Sequence, residues 1–425
     1  MRHISCALGV LALLLAGGGA QANDSNFRPY IVGGRAAGMG GAFTALADDG
    51  SGPYYNPGGL AFAEHSMLSL SASVYGIVRG FKKDGLGKGH DFNSSNLNVF
   101  PVSTSAITKF GVVDKFGSAR NAVALSVFVP DAMLINGEDT LGSEENTYWT
   151  SEQEQTVWAG ATYGHRFNRF GIGAAVFVLA ETKMSLLDFR TGTESDFKTL
   201  TARSEQTIVG VVAAVGLRYQ LGDKLNIGAS LYSPEMGMAG SRHEFARGEA
   251  DSVSVVGDRK HPDLRATPSL PWRAQAGIAW TSGKLTLAAD AIVLGSLEIH
   301  DDIGLAEQGL DRNVKRNMVV NGSAGFEYVV ADRFPVRAGL FTDFAASDEP
   351  TPDGLWDNSS AHRDSYGGTA SVGYRTDHTS TDLGLNVSYA SGRALAVRDL
   401  TLEELVVTET STTRFYLFLA TSYQF

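Results

Sequence analysis

The sequence predicts an all-β protein: a 14-stranded antiparallel transmembrane β-barrel whose lumen is filled by the chain's own N-terminal segment. Three observations predict it. Apolar and polar residues alternate with period two from Ser66 onward, the gaps between alternating runs are short and long by turns, and the last strand presents one aromatic-rich face ending in Phe425.

The period comes first. Leu68, Leu70, Ala72 and Val74 alternate with Ser69, Ser71 and Ser73, and Leu383, Leu385, Val387 and Tyr389 alternate with Asp382, Gly384, Asn386 and Ser388. A helical face would repeat every 3.6 residues instead. A soluble sandwich also alternates, so the connections decide. Strands are predicted near 66–80, 98–111, 120–130, 152–166, 169–188, 197–220, 224–246, 266–281, 284–297, 315–329, 334–345, 364–376, 379–391 and 411–425. Tight gaps occur at Phe167-Asn168, Leu221-Gly222-Asp223, Ser282-Gly283, Ala331-Asp332-Arg333 and Asp377-His378. The gaps between them, 81–97, 131–151, 247–265, 298–314, 346–363 and 392–410, are mostly long and polar. Short periplasmic turns and longer outer loops are how outer-membrane barrels are built. The even strand count puts both termini in the periplasm, and strands longer than roughly ten residues should project beyond the bilayer.

The last strand places Phe415, Leu417, Leu419, Thr421, Tyr423 and Phe425 on one face. This resembles the terminal strand by which outer-membrane barrels are recognised for insertion, with Tyr423 and Phe425 as the signal. Tyr163, Tyr219, Tyr328, Tyr374, Tyr389 and Tyr423 lie near strand ends and suit interfacial girdles.

Composition narrows the class further. The net charge of −11 opposes nucleic-acid binding, which needs a basic face. After the first residues no run of about 18 apolar residues occurs, so no membrane helix is expected. Residues 1–22 read as a secretory signal: Arg2 and His3, then apolar Leu8 to Ala16, then Ala20-Gln21-Ala22. Cys6, the single cysteine, lies inside that signal, so disulfides and thiolate metal sites are not expected. The predicted division is a signal over 1–22, a hatch over 23–65 and the barrel over 66–425. The expected location is the outer membrane of a Gram-negative bacterium, with lipid and lipopolysaccharide around a monomer.

Residues 23–65 break the period. Small residues dominate Gly33 to Asp49, so backbone can approach backbone closely. A short helix is expected around Ala42 to Leu46, and Asn56-Pro57-Gly58 forms a turn because Pro fixes φ and Gly permits positive φ. The pieces Gly38-Met39-Gly40-Gly41-Ala42, Ala47-Asp48-Asp49 and Tyr55-Asn56-Pro57 resemble the N-terminal hatch of FadL-type outer-membrane transport proteins, which include fatty-acid and TodX-like hydrocarbon channels. The family usually shows Asn-Pro-Ala, where this chain has Asn56-Pro57-Gly58. The resemblance implies passive uptake of long-chain fatty acids or other hydrophobic molecules, with exit sideways through the wall near the third strand. That exit requires a break in the strand, and Ala122 to Val129 holds no glycine before Pro130. A related group carries a similar hatch in barrels that bind or secrete a protein partner, so docking a partner is the second expectation.

Other chemistry finds little footing. In Gly38-Met39-Gly40-Gly41, Phe43 stands where the third glycine of a dinucleotide fingerprint belongs, and no βαβ pattern follows. Gly85-Leu86-Gly87-Lys88 lacks Walker spacing, with Lys82 at the first glycine position. Neither H-E-x-x-H nor G-x-S-x-G occurs, and the nine histidines form no close ligand pair. The acidic run Gly137 to Glu145 reads as a solvated loop rather than a cation site. No cofactor, metal or catalysis is expected.

Two residue sets carry the functional expectation. Trp158, Phe177, Leu179, Ile208, Ile292, Leu294, Phe341 and Phe418 should point inward, where a porin would be polar. They are expected to line an apolar ligand pocket, or else to pack against the hatch and infolded loops. Arg166, Arg218, Arg273, Arg337 and Arg375 are expected at the periplasmic rim, where Asp48 or Asp49 of the hatch would latch onto at least one of them. The alternative partners are the wall carboxylates Asp290, Glu327 and Asp382.

Overall fold

The computed structural model describes residues 26–27, 30–85, 88–98, 102–113, 119–139, 147–193, 196–250, 253–261, 270–301, 312–352, 361–397 and 405–425. The predicted signal over 1–22 and most of the acidic run lie outside them.

Fourteen antiparallel strands close into a barrel. They are β1 (Met67–Lys82), β2 (Phe92–Asn98 and Val102–Val113), β3 (Ala119–Asp139), β4 (Thr147–Phe167) and β5 (Phe170–Thr193). Next come β6 (Asp196–Leu221), β7 (Leu225–Tyr232 and Met236–Ala250), β8 (Val253–His261 and Arg273–Ser282) and β9 (Leu285–Leu294). The wall finishes with β10 (Val319–Val330), β11 (Phe334–Asp343), β12 (Ala361–Arg375), β13 (Thr379–Val397) and β14 (Leu405–Gln424). A short hairpin, Leu297–Asp301 with Arg312–Arg316, caps β9 and β10. Closure is the pairing of β1 with β14, from Met67↔Gln424 to Lys82↔Thr410.

The alternation explains why this sheet closes around a lumen. Leu125, Val176, Val178, Val215, Leu217, Leu340 and Leu383 are exposed on the outer wall, with Tyr163, Tyr219, Tyr328, Tyr374, Tyr389 and Tyr423 among them. Their neighbours along each strand turn inward and are buried. The short turns follow local chemistry: Asn168 takes φ 53° between β4 and β5, and Gly283 takes φ 58° between β8 and β9. Two-residue hairpin turns need positive φ, which Asn and Gly accept at little cost.

The strands are longer than the sequence predicts. The expected loop 131–151 is largely ladder, running from Asp131↔Thr156 to Asp139↔Tyr148. The upper half of β2 lies in the expected loop 81–97. Above the lipid a strand loses its reason for an apolar face, so the period fades while the hydrogen bonding continues.

The N-terminal segment lies inside the barrel. It holds α1 (Gly34–Gly38), α2 (Gly52–Tyr55) and a 3-10 turn over Pro57–Phe62. The helix expected at Ala42 to Leu46 is a turn instead. Gly40 and Gly41 have φ 65° and 80°, which stops α1. Asp290 Oδ2 then accepts from Phe43 N and Thr44 N, each at 2.8 Å, so a wall carboxylate takes donors that would otherwise face along a helix. A Cβ at Gly40 would lie 2.8 Å from the Leu340 N and O, so β11 admits only glycine there.

Candidate binding site and hatch contacts

The end of the lumen nearest the short turns is a charged layer. Arg218 Nη1, on β6, lies 3.1 Å from Asp48 Oδ2. Arg35, on α1, places Nη1 3.1 Å from Asp48 Oδ1 and Nη2 2.9 Å from Glu327 Oε1. Arg35 Nε donates to Glu327 Oε2 at 3.1 Å, completing a two-pronged contact suited to its planar fork. Glu327 on β10 also receives Arg337 Nε at 2.6 Å and Arg375 Nη2 at 3.1 Å, and Arg337 Nη1 reaches Asp382 Oδ1 at 2.7 Å. Burial acts to lower the Arg35 pKa, but Glu327 and Asp48 outweigh it and raise it, so Arg35 stays charged. Asp49 turns away and accepts from Ser51 N at 2.8 Å and Ser51 Oγ at 2.6 Å; burial pushes its carboxyl up against those bonds.

The five arginines therefore separate. Arg166 donates to Asn168 O at 2.7 Å and stacks over Phe62, its Cζ 4.5 Å from the ring. Arg273 is not at the rim. It pairs with Leu294 and Tyr232, while the turn of its hairpin lies beyond Ser282, at the other end of the strand piece. Position beside the break in β8, not beside a short turn, sets its height. There its Cζ sits 3.9 Å from the Tyr232 ring and 4.7 Å from the Tyr54 ring, and its Nη2 donates to Tyr54 O at 3.1 Å.

Small residues fix the segment to the wall. Asn56 is fully buried; its Nδ2 donates to Thr44 O and to Leu217 O, both at 2.8 Å, and its Oδ1 accepts from Gly58 N at 3.0 Å. Pro57 opens the 3-10 turn that follows. Thr369 on β12 clamps α1's end, its Oγ1 accepting from Gly40 N at 3.0 Å and donating to Gly38 O at 3.1 Å. Gly41 supplies the second positive φ of that reversal.

Above the charged layer is an aromatic one. Tyr54 of α2 meets Phe128 and Trp158 edge-on, with ring centroids 5.7 and 5.6 Å apart, and Trp158 meets Phe177 at 5.7 Å. Leu179 and Tyr232 complete a cluster shared with Phe43 and Tyr55 of the segment. Leu294 packs elsewhere, with Val319, Ala346 and Phe27. Ile208, Ile292, Phe341 and Phe418 are buried on the inner wall but join neither group. A cavity of about 520 Å³ runs from rim residues such as Gly283 and Gln424, past Asp48 and Arg218, up to Thr104 and Phe128.

The wall beside Phe128 is irregular. The β2–β3 ladder runs from Val113↔Ala119 to Thr104↔Val127, and among the described residues it is not continued above. Higher up, Asn96 Nδ2 donates to Asn136 O at 3.0 Å and Asn136 N donates to Asn96 Oδ1 at 2.8 Å, a side chain replacing the ladder. On the other edge of β3 the register slips between Phe128 and Asp131, around Pro130, which has no N–H to offer.

At the C-terminal end, Phe425 N donates to Ser66 O at 3.0 Å, and its exposed ring stacks near Tyr423 at 6.3 Å. Sequence reading missed Arg35, Phe128, Tyr54 and Tyr232. Arg35 left a signal: it is the single charge between residues 29 and 47, in a stretch otherwise small and apolar. A charge held in a small, apolar stretch that packs inside the barrel needs a partner.

A closed antiparallel barrel with a lumen-filling N-terminal segment is the architecture of outer-membrane transport barrels. Its fold is that of the FadL-type channels. The chain is similar to a Pseudomonas aeruginosa FadL homologue, with TM-score 0.68 and 13% identity over 94% of this chain and 100% of that one. It is similar to the Pseudomonas putida toluene transporter TodX, with TM-score 0.64 and 14% identity over 94% and 99% of the two chains. A third similar structure is the CymD monoaromatic hydrocarbon channel, with TM-score 0.57 and 13% identity over 93% and 98%. No family model and no curated protein sequence matches the chain.

Proposed function

We propose that this chain is an outer-membrane channel for passive uptake of hydrophobic small molecules such as fatty acids or hydrocarbons, with residues 23–65 as its hatch. The observation that carries the reading is the aromatic cluster of Tyr54, Phe128, Trp158 and Phe177. It sits where the hatch meets the wall, at the level where the β3 pairing slips. An apolar cargo gains by leaving water for such a surface, at about 25 cal/mol per Å² buried. The charged layer beneath opposes its onward passage, because desolvating it there returns nothing. The irregular β2–β3 seam supports exit sideways into lipid. No covalent bond is made or broken.

The test is uptake of a radiolabelled hydrophobic probe by cells carrying the wild type, Leu179→Lys or Leu294→Lys. Leu179→Lys, in the cluster, is expected to lower uptake at least tenfold while the barrel still assembles, since a charge in an apolar site costs a few kcal/mol or more. Unchanged uptake in both variants places the pocket elsewhere or removes it.

A further inference from the structure

We propose that the aromatic site selects cargo bearing a neutral hydroxyl group, an alkylphenol or aryl alcohol, held between the indole N–H of Trp158 and the carboxylate of Asp131. The inference rests on the uptake reading above and narrows its substrate class.

Two buried polar atoms in the described structure have no hydrogen-bond partner at this place. One is Trp158 Nε1, on a side chain only 5% exposed, and the other is Asp131 Oδ1. Unsatisfied buried polar atoms are uncommon, and each calls for a reason. The two are close. Phe128 is opposite Trp158 and Asp131 is opposite Thr156, with the β3 bulge between them. Opposite residues share a face, and Thr156 is buried inward, so Asp131 and Trp158 both face the lumen on either side of the bulge.

Their chemistry is complementary and incomplete. An indole N–H only donates, and a carboxylate only accepts. A hydroxyl is the smallest group that accepts from one and donates to the other. A plain hydrocarbon leaves both atoms unsatisfied. A carboxylate cargo could accept from Trp158 but has no hydrogen to offer Asp131 Oδ1. The charged groups around the site come from several elements: Lys183 and Glu181 on β5, Arg414 on β14 and Asp343 on β11 face Asp131, and Arg273 on β8 lies 5.7 Å from the Trp158 ring centroid with its Nη2 already donating to Tyr54 O. The ring of the cargo would join the aromatic set in which Tyr54 meets Phe128 edge-on and Phe128 meets Phe177 at a tilt. Both atoms are shielded, so cargo reaches them by displacing the Tyr54 ring of the hatch or by parting the wall at the β3 bulge.

The experiment compares 4-ethylphenol, ethylbenzene and 4-ethylbenzoate by equilibrium dialysis against the purified full barrel in detergent-matched buffer. The phenol is expected to bind about tenfold more tightly than ethylbenzene, the worth of one or two hydrogen bonds completed in a buried site. Trp158→Phe and Asp131→Ala, each first shown to assemble by its heat-dependent gel migration, should each drive the phenol-to-ethylbenzene ratio toward one. Equal binding of phenol and ethylbenzene, tightest binding of the benzoate, or variants that leave the ratio unchanged would overturn the hydroxyl assignment while leaving hydrophobic uptake standing. Failure of all three probes to bind would overturn the uptake reading itself.

Discussion

At the scale of single residues, the N-terminal segment proposed as the hatch is held by charges that do different work. Asp48 bridges Arg218 of the wall and Arg35 of the N-terminal segment, whereas the carboxylate of its neighbour Asp49 bonds only to Ser51 within the described contacts. Asp48→Asn is therefore expected to loosen the hatch by on the order of 1–3 kcal/mol, because it leaves two guanidinium groups less well paired. Leakage of a small polar dye from proteoliposomes should rise. Asp49→Asn should not change it, and equal leakage from both would remove Asp48 from its role as a latch. The sequence places an Asp–Arg contact in view but not its geometry. The two partners of Arg35 lie 13 and 292 residues away, and local pattern carries no information about the second.

Elements were legible where one physical demand fixed them. Each strand crossing lipid must alternate, so the strand count and order could be read directly. The helix expected at Ala42 to Leu46 could not be corrected locally, since the donor competition comes from Asp290 on β9. Arg273 was misplaced in height because β8 is broken near it, and counting from the nearest turn fails across a break. For β14 the expectation is sharp. Phe415, Leu417, Leu419 and Tyr423 face outward with Phe425 at the end. Phe425→Ala should be exported yet fail to accumulate in the outer membrane, measured by membrane fractionation. Normal accumulation would show that the terminal ring is not read.

At the scale of the whole molecule, pairing of β1 with β14 joins the first strand to the last and closes the sheet. The purified protein should keep a strand-dominated far-UV spectrum in detergent at room temperature and should migrate differently on gels before and after boiling. A helix-dominated spectrum would contradict the architecture.

The hatch also touches the wall in several directions at once: Ala61 receives Lys109 of β2 at 2.8 Å, Asn56 reaches β6, Phe43 and Thr44 reach β9, and Gly40 reaches β12. A sheet bends about its strands more easily than it stretches along its hydrogen bonds, so an empty tube of this kind is free to flatten into an ellipse. The filled one is braced like a drum with spokes. Spin labels on the outer faces of β2 and β9 should show a narrow distance distribution in the intact chain and a broader one when residues 26–63 are removed. Roundness of the wall is then a mechanical property of the filling, and any push on a spoke changes the span of the seam beside Phe128.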